Sequence, residues 1–478
     1  MSSNTEDLTE LKATQTIELL RSGRLKPSVS VEFYLDRIAQ YNAIVNALCY
    51  VSERTSRTRA SQLEQQIERS QEALLYGLTF SAKSHLAVKD MPTVAGTEHG
   101  YVASSPHTCS AVQFLLDQGA ICLGKGNMPE YGKSYYTENL LYGRTCNPFN
   151  PAYSPGGSSG GDAAAVATGL VDFALTSDTG GSTRVPASLC GLFGLHTTPG
   201  TVSNAGNKIP GFFAPLSRSL GPIAKSIDDI QLLHSVLARY TPADPFSASN
   251  AVDNCSATRN SFLWLQQMNG VDCTPPIAKA LREAISRLEA LNYTATQRCP
   301  EVFSQAIEPF VILVGQASFV QEDLVDSACD EVRDLSRESP STKALRKRIA
   351  EELPALSAEA ILWQMHRVYE LRSQLGALFA EYDFVLAPVA ATNAIESGTN
   401  GIQVNGQQLR GEHVFQFSFC ANVLGLPALT CPVGRPQDCC PNGLPRIGPR
   451  VAESRLIELV KRMGYENRLI PPEIAAGS

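Results

Sequence analysis

The chain has 478 residues, with 40 Lys+Arg against 47 Asp+Glu and a net charge of −7. Its 43% hydrophobic and 18% charged residues match ordinary globular proteins and exclude wholesale disorder. The acidic excess offers no electrostatic footprint for nucleic acid or an anionic membrane, and no run of 18 consecutive apolar residues occurs. The polar, acidic start MSSNTEDLTE lacks the basic region and apolar core of a signal peptide, so the mature protein is expected to begin near Met1. Thirteen cysteines without a C-x-x-C pair, and seven histidines without an H-x-x-x-H pair, point to reduced thiols in a cytoplasmic protein with no metal and no cofactor.

Residues 8–72 read as helical, with Leu19, Leu20, Val31, Leu35, Ile38 and Leu63 at helical spacing and Pro27 breaking the run. Between about 75 and 235, short apolar runs (Gly77–Ala82, Ala111–Leu123, Phe173–Thr176, Leu192–Leu195) alternate with Gly-, Ser- and Pro-rich turns. That alternation predicts a buried mixed sheet under covering helices. Thr241–Asn260 reads as a surface loop. Residues 276–297 and 354–380 carry helical periodicity, separated by a charged segment, Arg333–Arg348, expected to be solvated. Phe384–Pro388 and Leu424–Val433 read as buried strands and Glu453–Met463 as a helix. The expectation is one α/β domain, a mixed sheet with helices on both faces, in which residues 1–72 form a helical segment packed on a core spanning 73–478.

The most informative stretch is Tyr153–Ser182, YSPGGSSGGDAAAVATGLVDFALTSDTGGS. Two glycine-serine turns are joined by a small-residue helix over Ala163–Gly169 and a strand over Phe173–Thr176. Glycine tolerates positive φ and close backbone approach, so each turn can aim several N–H groups at one point. A serine presented beside such donors is what acyl transfer requires. Gly156–Gly160 also matches G-x-S-x-G, but a nucleophile elbow needs an apolar strand before it, and Asn147–Pro155 holds three prolines. Gly119–Lys125 reads G-x-x-x-x-G-K, yet Gly126 stands where a phosphate loop needs Ser or Thr.

The GGSSGG and DTGGS turns, with NMPEYG (127–132), LYGRTCNPFNP (141–151), VPASLCGLFGL (185–195), GPIAKSIDD (221–229), YDFVLAP (382–388) and GLPALTCPVG (425–434), resemble the amidase signature family. The likeness is dense over about 75–230 and looser over 10–70 and 375–465; residues 245–370 do not align. It implies a cofactor-independent amidohydrolase with a Ser-Ser-Lys triad: Ser182 as nucleophile, Ser158 as bridging serine after a cis peptide bond, and a lysine as base. Backbone N–H groups of Thr179, Gly180, Gly181 and Ser182 would form the oxyanion hole. Two lysines compete. Lys89 keeps the family's V-K-D lettering, whereas spacing from the Leu75-Tyr76-Gly77 turn and to Pro92-Thr93 selects Lys83. Lys83 is chosen, because burial after the apolar Leu78–Ala82 would depress its pKa, while the carboxylate beside Lys89 would raise it.

Ser159, Asp178 and Arg184 are expected to shape the turns, and Cys190 to be a buried, inert thiol. The basic residues of the family's G-L-K-P-T-x-G-R are lost in Gly194–Thr201, where His196 stands, and the C-terminal strand motif is shortened to Gly443–Gly448. Met128, Tyr131, Tyr136, Phe212 and Phe213 are candidates for lining a substrate pocket. The expected partner is a small-molecule amide, with no nucleic acid or membrane, and the resemblance adds a possible homodimer. Two alternatives stand beside this reading: a glutaminase-type subunit of an amidotransferase, and a catalytically inactive binding or scaffold protein.

Overall fold

Short runs rich in Val, Ile, Leu, Phe and Ala, each closed by a glycine or polar turn, pair into one mixed sheet of 11 strands. The computed structural model describes residues 7–65, 72–99, 102–207, 217–247, 259–320, 334–353, 355–398, 401–434 and 440–465. In chain order the strands are β1 (Leu48–Val51), β2 (Thr79–Lys83), β3 (Ile121–Gly126), β4 (Phe173–Asp178), β5 (Phe193–His196), β6 (Ser219–Ala224), β7 (Ser261–Trp264), β8 (Thr294–Gln297), β9 (Phe384–Leu386), β10 (Ala428–Pro432) and β11 (Gly443–Ile447). Their order across the sheet is β1-β3-β2-β4-β6-β5-β10-β11-β9-β7-β8.

Strands β3, β2 and β4 run parallel, as do β9, β7 and β8, with antiparallel pairs between these blocks and at the β1 edge. Close strand approach dictates one residue. A Cβ on Gly221 in β6 would lie 1.8 Å from the Leu195 carbonyl oxygen, so only glycine fits.

Alternation along the strands builds a core on each face of the sheet. Phe262, Phe384, Leu429 and Leu444 join a core with Phe80, Phe173, Tyr34 and Ile230. Their neighbours Leu263, Val385, Ala428 and Ile447 join a second core with Leu371, Phe415 and Phe417. Helices thus cover both faces, as the sequence predicts.

Several local readings change. The predicted helical segment 8–72 contains the edge strand β1, so it contributes directly to the main sheet. The run Ala111–Leu123 divides into a helix, Ser110–Asp117, and β3; residues 276–297 divide into the helix Pro275–Ala290 and β8. The charged segment expected to be solvated carries a helix, Pro340–Glu352, that faces the site described below. The shortened motif at 443–448 still forms a five-residue buried strand, β11, whose Arg446 guanidinium donates to Leu444 O at 2.7 Å and Tyr465 Oη at 3.0 Å. Residues 248–258 of the expected surface loop lie outside the described residues. One helix among the described residues, Glu301–Val320, is long and apolar enough to cross a membrane by length and composition alone. Phe303, Leu313 and Ala317 of that helix pack into the second core.

Candidate active site

The parallel strands β2 and β4 end at the same edge of the sheet, where a crevice is expected in an open α/β sheet. Lys83 is the last residue of β2 and only 1% exposed. Its Nζ donates to Ser158 Oγ at 2.7 Å and approaches Ser177 O at 3.4 Å. The Gly157–Ser158 peptide is cis. Ser159 N donates to Ser182 O at 3.2 Å, which fastens the GGSSGG turn against the DTGGS turn that follows β4. Lys83, Ser158 and Ser182 line one cavity of about 780 Å³. Among the described residues no hydrogen bond joins Ser158 Oγ to Ser182 Oγ; such contacts often tighten only when substrate binds. Lys89 is exposed and absent from the lining, its backbone N–H spent on Thr108 Oγ1 at 3.0 Å.

Asp178 organises the DTGGS turn. Its carboxylate accepts from Gly181 N at 2.7 Å, Thr183 N at 3.1 Å, Arg184 Nε at 3.0 Å and Nη2 at 2.9 Å, and Asn422 Nδ2 at 2.9 Å. Burial alone would raise this carboxyl; Arg184 and Asn422 outweigh it and hold it well below the usual carboxylate range. The arrangement corrects one expectation. Gly181 N–H is committed to Asp178 and Gly181 is absent from the lining, which leaves Thr179, Gly180 and Ser182 as the lining residues whose N–H groups have no partner among the described residues.

Burial lowers the Lys83 amine to about 7, against opposing pulls from Asp162 and Asp178 and with help from Arg218. Lys83 is therefore not isolated from carboxylates; desolvation outweighs two nearby acids and lowers the amine. Asp162 sits on the helix Gly160–Ala167 directly over Gly126, where a Cβ would lie 2.2 Å from Asp162 Oδ1. Gly126 is the partner of Lys83 in the β2–β3 register. Ser81 Oγ donates to Asp162 Oδ1 at 2.7 Å, yet burial still raises this carboxyl.

A family model described as Amidase matches residues 29–457. The chain belongs to the amidase signature family. Over 89% of its length and 90% of the relative's, it is 30% identical to a subunit of the glutamyl-tRNA(Gln) amidotransferase of Protochlamydia amoebophila. In fold it resembles a 6-aminohexanoate cyclic dimer hydrolase complexed with substrate (TM-score 0.85, 23% identity, covering 98% of this chain and 99% of the other). It also resembles a bacterial aryl acylamidase of the amidase signature enzymes (TM-score 0.81, 22% identity, covering 94% of each chain).

Around this amidase-family centre, Met128, Tyr131 and Tyr136 line the cavity as expected, whereas Phe212 and Phe213 lie outside the described residues. The opposite wall comes from places the sequence reading did not single out: Phe310, Val314 and Phe319 of Glu301–Val320, and Leu345 and Ile349 of Pro340–Glu352. Both helices fall in the stretch that the sequence reading left unaligned, although the family model spans it, and the apolar run Phe310–Val314 was the signal available there. His85 and Arg218 also line the cavity; the sequence marks His85, with Ser84, as a departure from the family's lettering after the lysine, whereas Arg218 was missed. The His196 substitution is structural: the ring is fully buried, Ser219 Oγ lies 2.6 Å from Nδ1, and burial lowers its pKa to about 3. Cys190 is buried, with Sγ 3.7 Å from Pro155 O and its pKa pushed up by burial.

Proposed function

We propose that the chain hydrolyses the C–N bond of an amide through Lys83, Ser158 and Ser182 and an acyl-enzyme intermediate. The observation that carries this reading is the 2.7 Å contact between a buried, pKa-depressed lysine and Ser158, in a cavity that also holds Ser182. Neutral Lys83 accepts the Ser158 proton as Ser158 accepts that of Ser182, and Ser182 Oγ attacks the carbonyl. The N–H groups of Thr179, Gly180 and Ser182 take the oxyanion; removing one such donor typically costs about 3–4 kcal/mol of transition-state stabilisation. The relay then reverses to protonate the leaving nitrogen, and water releases the acyl group.

A second reading concerns the substrate. The names of the curated relatives favour a glutamine-hydrolysing subunit that passes ammonia to a partner over a free-standing amidase, so glutamine is the first substrate to test. Ammonia release from glutamine, alone and with cell extract, is compared with release from a panel of free alkyl, aryl and urea-type amides. Extract-dependent glutaminase activity supports the subunit reading, and partner-independent turnover of other amides supports the amidase. A fluorophosphonate that labels wild type but not Ser182→Ala identifies the nucleophile in either case, and a wild type that is never labelled contradicts both.

The reading sets a pH profile. Only unprotonated Lys83 acts as base, so kcat should rise through about pH 7 and then level, losing about tenfold per unit below that point. Asp162 pulls Lys83 upward, so Asp162→Asn should move the rise to lower pH. A rise that stays in place in this variant would show that the two groups are not coupled.

A further inference from the structure

The geometry points to Tyr135 as a positioning residue that, together with Asp178, fixes the Thr179–Ser182 turn whose N–H groups take the oxyanion. The inference rests on the amide-hydrolase reading above. Tyr135 lines the catalytic cavity beside Gly180, and its Oη donates to Gly180 O at 2.9 Å. That carbonyl has no other hydrogen-bond partner among the described residues. It belongs to the same peptide unit as Gly181 N–H, which donates to Asp178 Oδ1 at 2.7 Å. One peptide plane is therefore gripped at both ends, by a phenol on its oxygen and a carboxylate on its hydrogen.

The turn needs such a hold. A peptide plane pivots about the φ and ψ bonds on either side of it, and here both flanking residues are glycine, the least restricted residue. Gly181 adopts φ +108°, a region that ordinary side chains avoid. The N–H groups of Gly180 and Ser182 lie on either side of the gripped plane, so its orientation sets their aim relative to one another. Side chains cannot stiffen these positions. A Cβ on Gly180 would lie 2.6 Å from Phe310 Cζ, and one on Gly181 would lie 2.9 Å from Ser418 Cβ. Rigidity has to come from outside the turn, and donors fixed in advance are what oxyanion stabilisation depends on.

Tyr135 is itself held in place. Its ring stacks on the buried Phe415, with centroids 3.6 Å apart and planes 20° from parallel. Its backbone lies against the other turn, where a Cβ on Gly157 would come within 2.5 Å of Ser134 O and 2.9 Å of Tyr135 C. Two positions on, Thr137 Oγ1 donates to Gly156 O at 2.8 Å and accepts from Gly160 N at 3.2 Å. The segment Ser134–Thr137 thus ties the turn that carries Ser158 to the turn that carries Ser182. A carbonyl oxygen only accepts, so the phenol is the donor. Burial foremost, and then Asp178, push its pKa up and keep it protonated.

The test is Tyr135→Phe, which keeps the ring and its stacking and removes only the donor. Deleting an oxyanion donor outright costs on the order of 10²–10³ in kcat, so loosening the turn should lower kcat by about 10- to 100-fold. KM for two amides with different leaving groups should stay within about twofold of wild type, because the donors act on charge that forms only in the transition state. The affinity of a trifluoromethyl ketone, which Ser182 converts to a tetrahedral adduct, should fall by the same factor as kcat. Rates are counted per site titrated to completion with fluorophosphonate, so unfolded protein does not enter. A fall in kcat of less than about fivefold overturns the inference. So does a rise in KM at unchanged kcat, the mark of a hydroxyl that touches substrate, or a fall in kcat that leaves the ketone's affinity unchanged. A second variant, with 4-aminophenylalanine at position 135, restores a donor at the same place on the ring and should regain most of the lost kcat; an equal loss in both variants also overturns it. Wild type that is labelled and cleaves amides while Tyr135→Phe equals it removes this inference and leaves the amide-hydrolase reading standing; wild type that is neither labelled nor active removes both.

Discussion

Ser182→Ala is expected to lower kcat by on the order of 10⁵–10⁶, and Lys83→Met by nearly as much, as in other catalytic units whose members act together. Lys89→Ala should stay within about twofold of wild type, since exposed side chains away from the reacting atoms seldom matter. The contrast follows from placement. Lys83 is buried at the end of β2 with Nζ 2.7 Å from Ser158 Oγ, whereas Lys89 is exposed and outside the cavity. Methionine keeps much of the lysine's apolar length, so its effect reports loss of the amine rather than loss of packing. The double variant Lys83→Met/Ser182→Ala should be no slower than Ser182→Ala, because the residues contribute through one relay. The measurement is amide turnover with circular dichroism as a folding control. A dead Lys89→Ala beside an active Lys83→Met would move the base to the other lysine.

The second large effect concerns stability. Asp178→Ala should destabilise the fold by about 3–5 kcal/mol, the usual result of removing one partner from a buried ion pair. Asp178 and Arg184 are both 0% exposed and 2.9 Å apart. Without the carboxylate, Arg184 keeps a buried charge, and the N–H groups of Gly181 and Thr183 lose their acceptor. With an unfolding entropy of ~2.1 cal/mol/K per residue over a chain of this size, that corresponds to a fall in Tm of roughly 3–5 °C. The loss should appear in scanning calorimetry even in the Ser182→Ala background, because it does not depend on turnover. A shift under about 1 °C would mean that the pair contributes far less than its burial implies. Asp178→Asn keeps one acceptor oxygen and should lie between wild type and Asp178→Ala.

Local chemistry was legible in the residues themselves. Glycine-serine turns, prolines and apolar runs act over a few positions, so the strand read at Phe173–Thr176, which the structure extends to Asp178, the helix after GGSSGG and the spacing that favours Lys83 could be read without any fold. Hydrophobic alternation likewise announced a sheet covered on both faces. Sequence periodicity could not distinguish an edge strand from the end of a helix, which is why β1 and β8 passed as helical. Nor could it say what a charged segment faces. Pro340–Glu352 looks solvated because its charges are many, yet its apolar positions Leu345 and Ile349 close the cavity. Only the assembled sheet brought Arg218 and Asp162 to Lys83, from positions far apart along the chain. Electrostatics and hydrogen bonding depend on distance in space: that Gly181 N–H belongs to Asp178, and that a buried amine stays depressed beside two acids, were settled by packing.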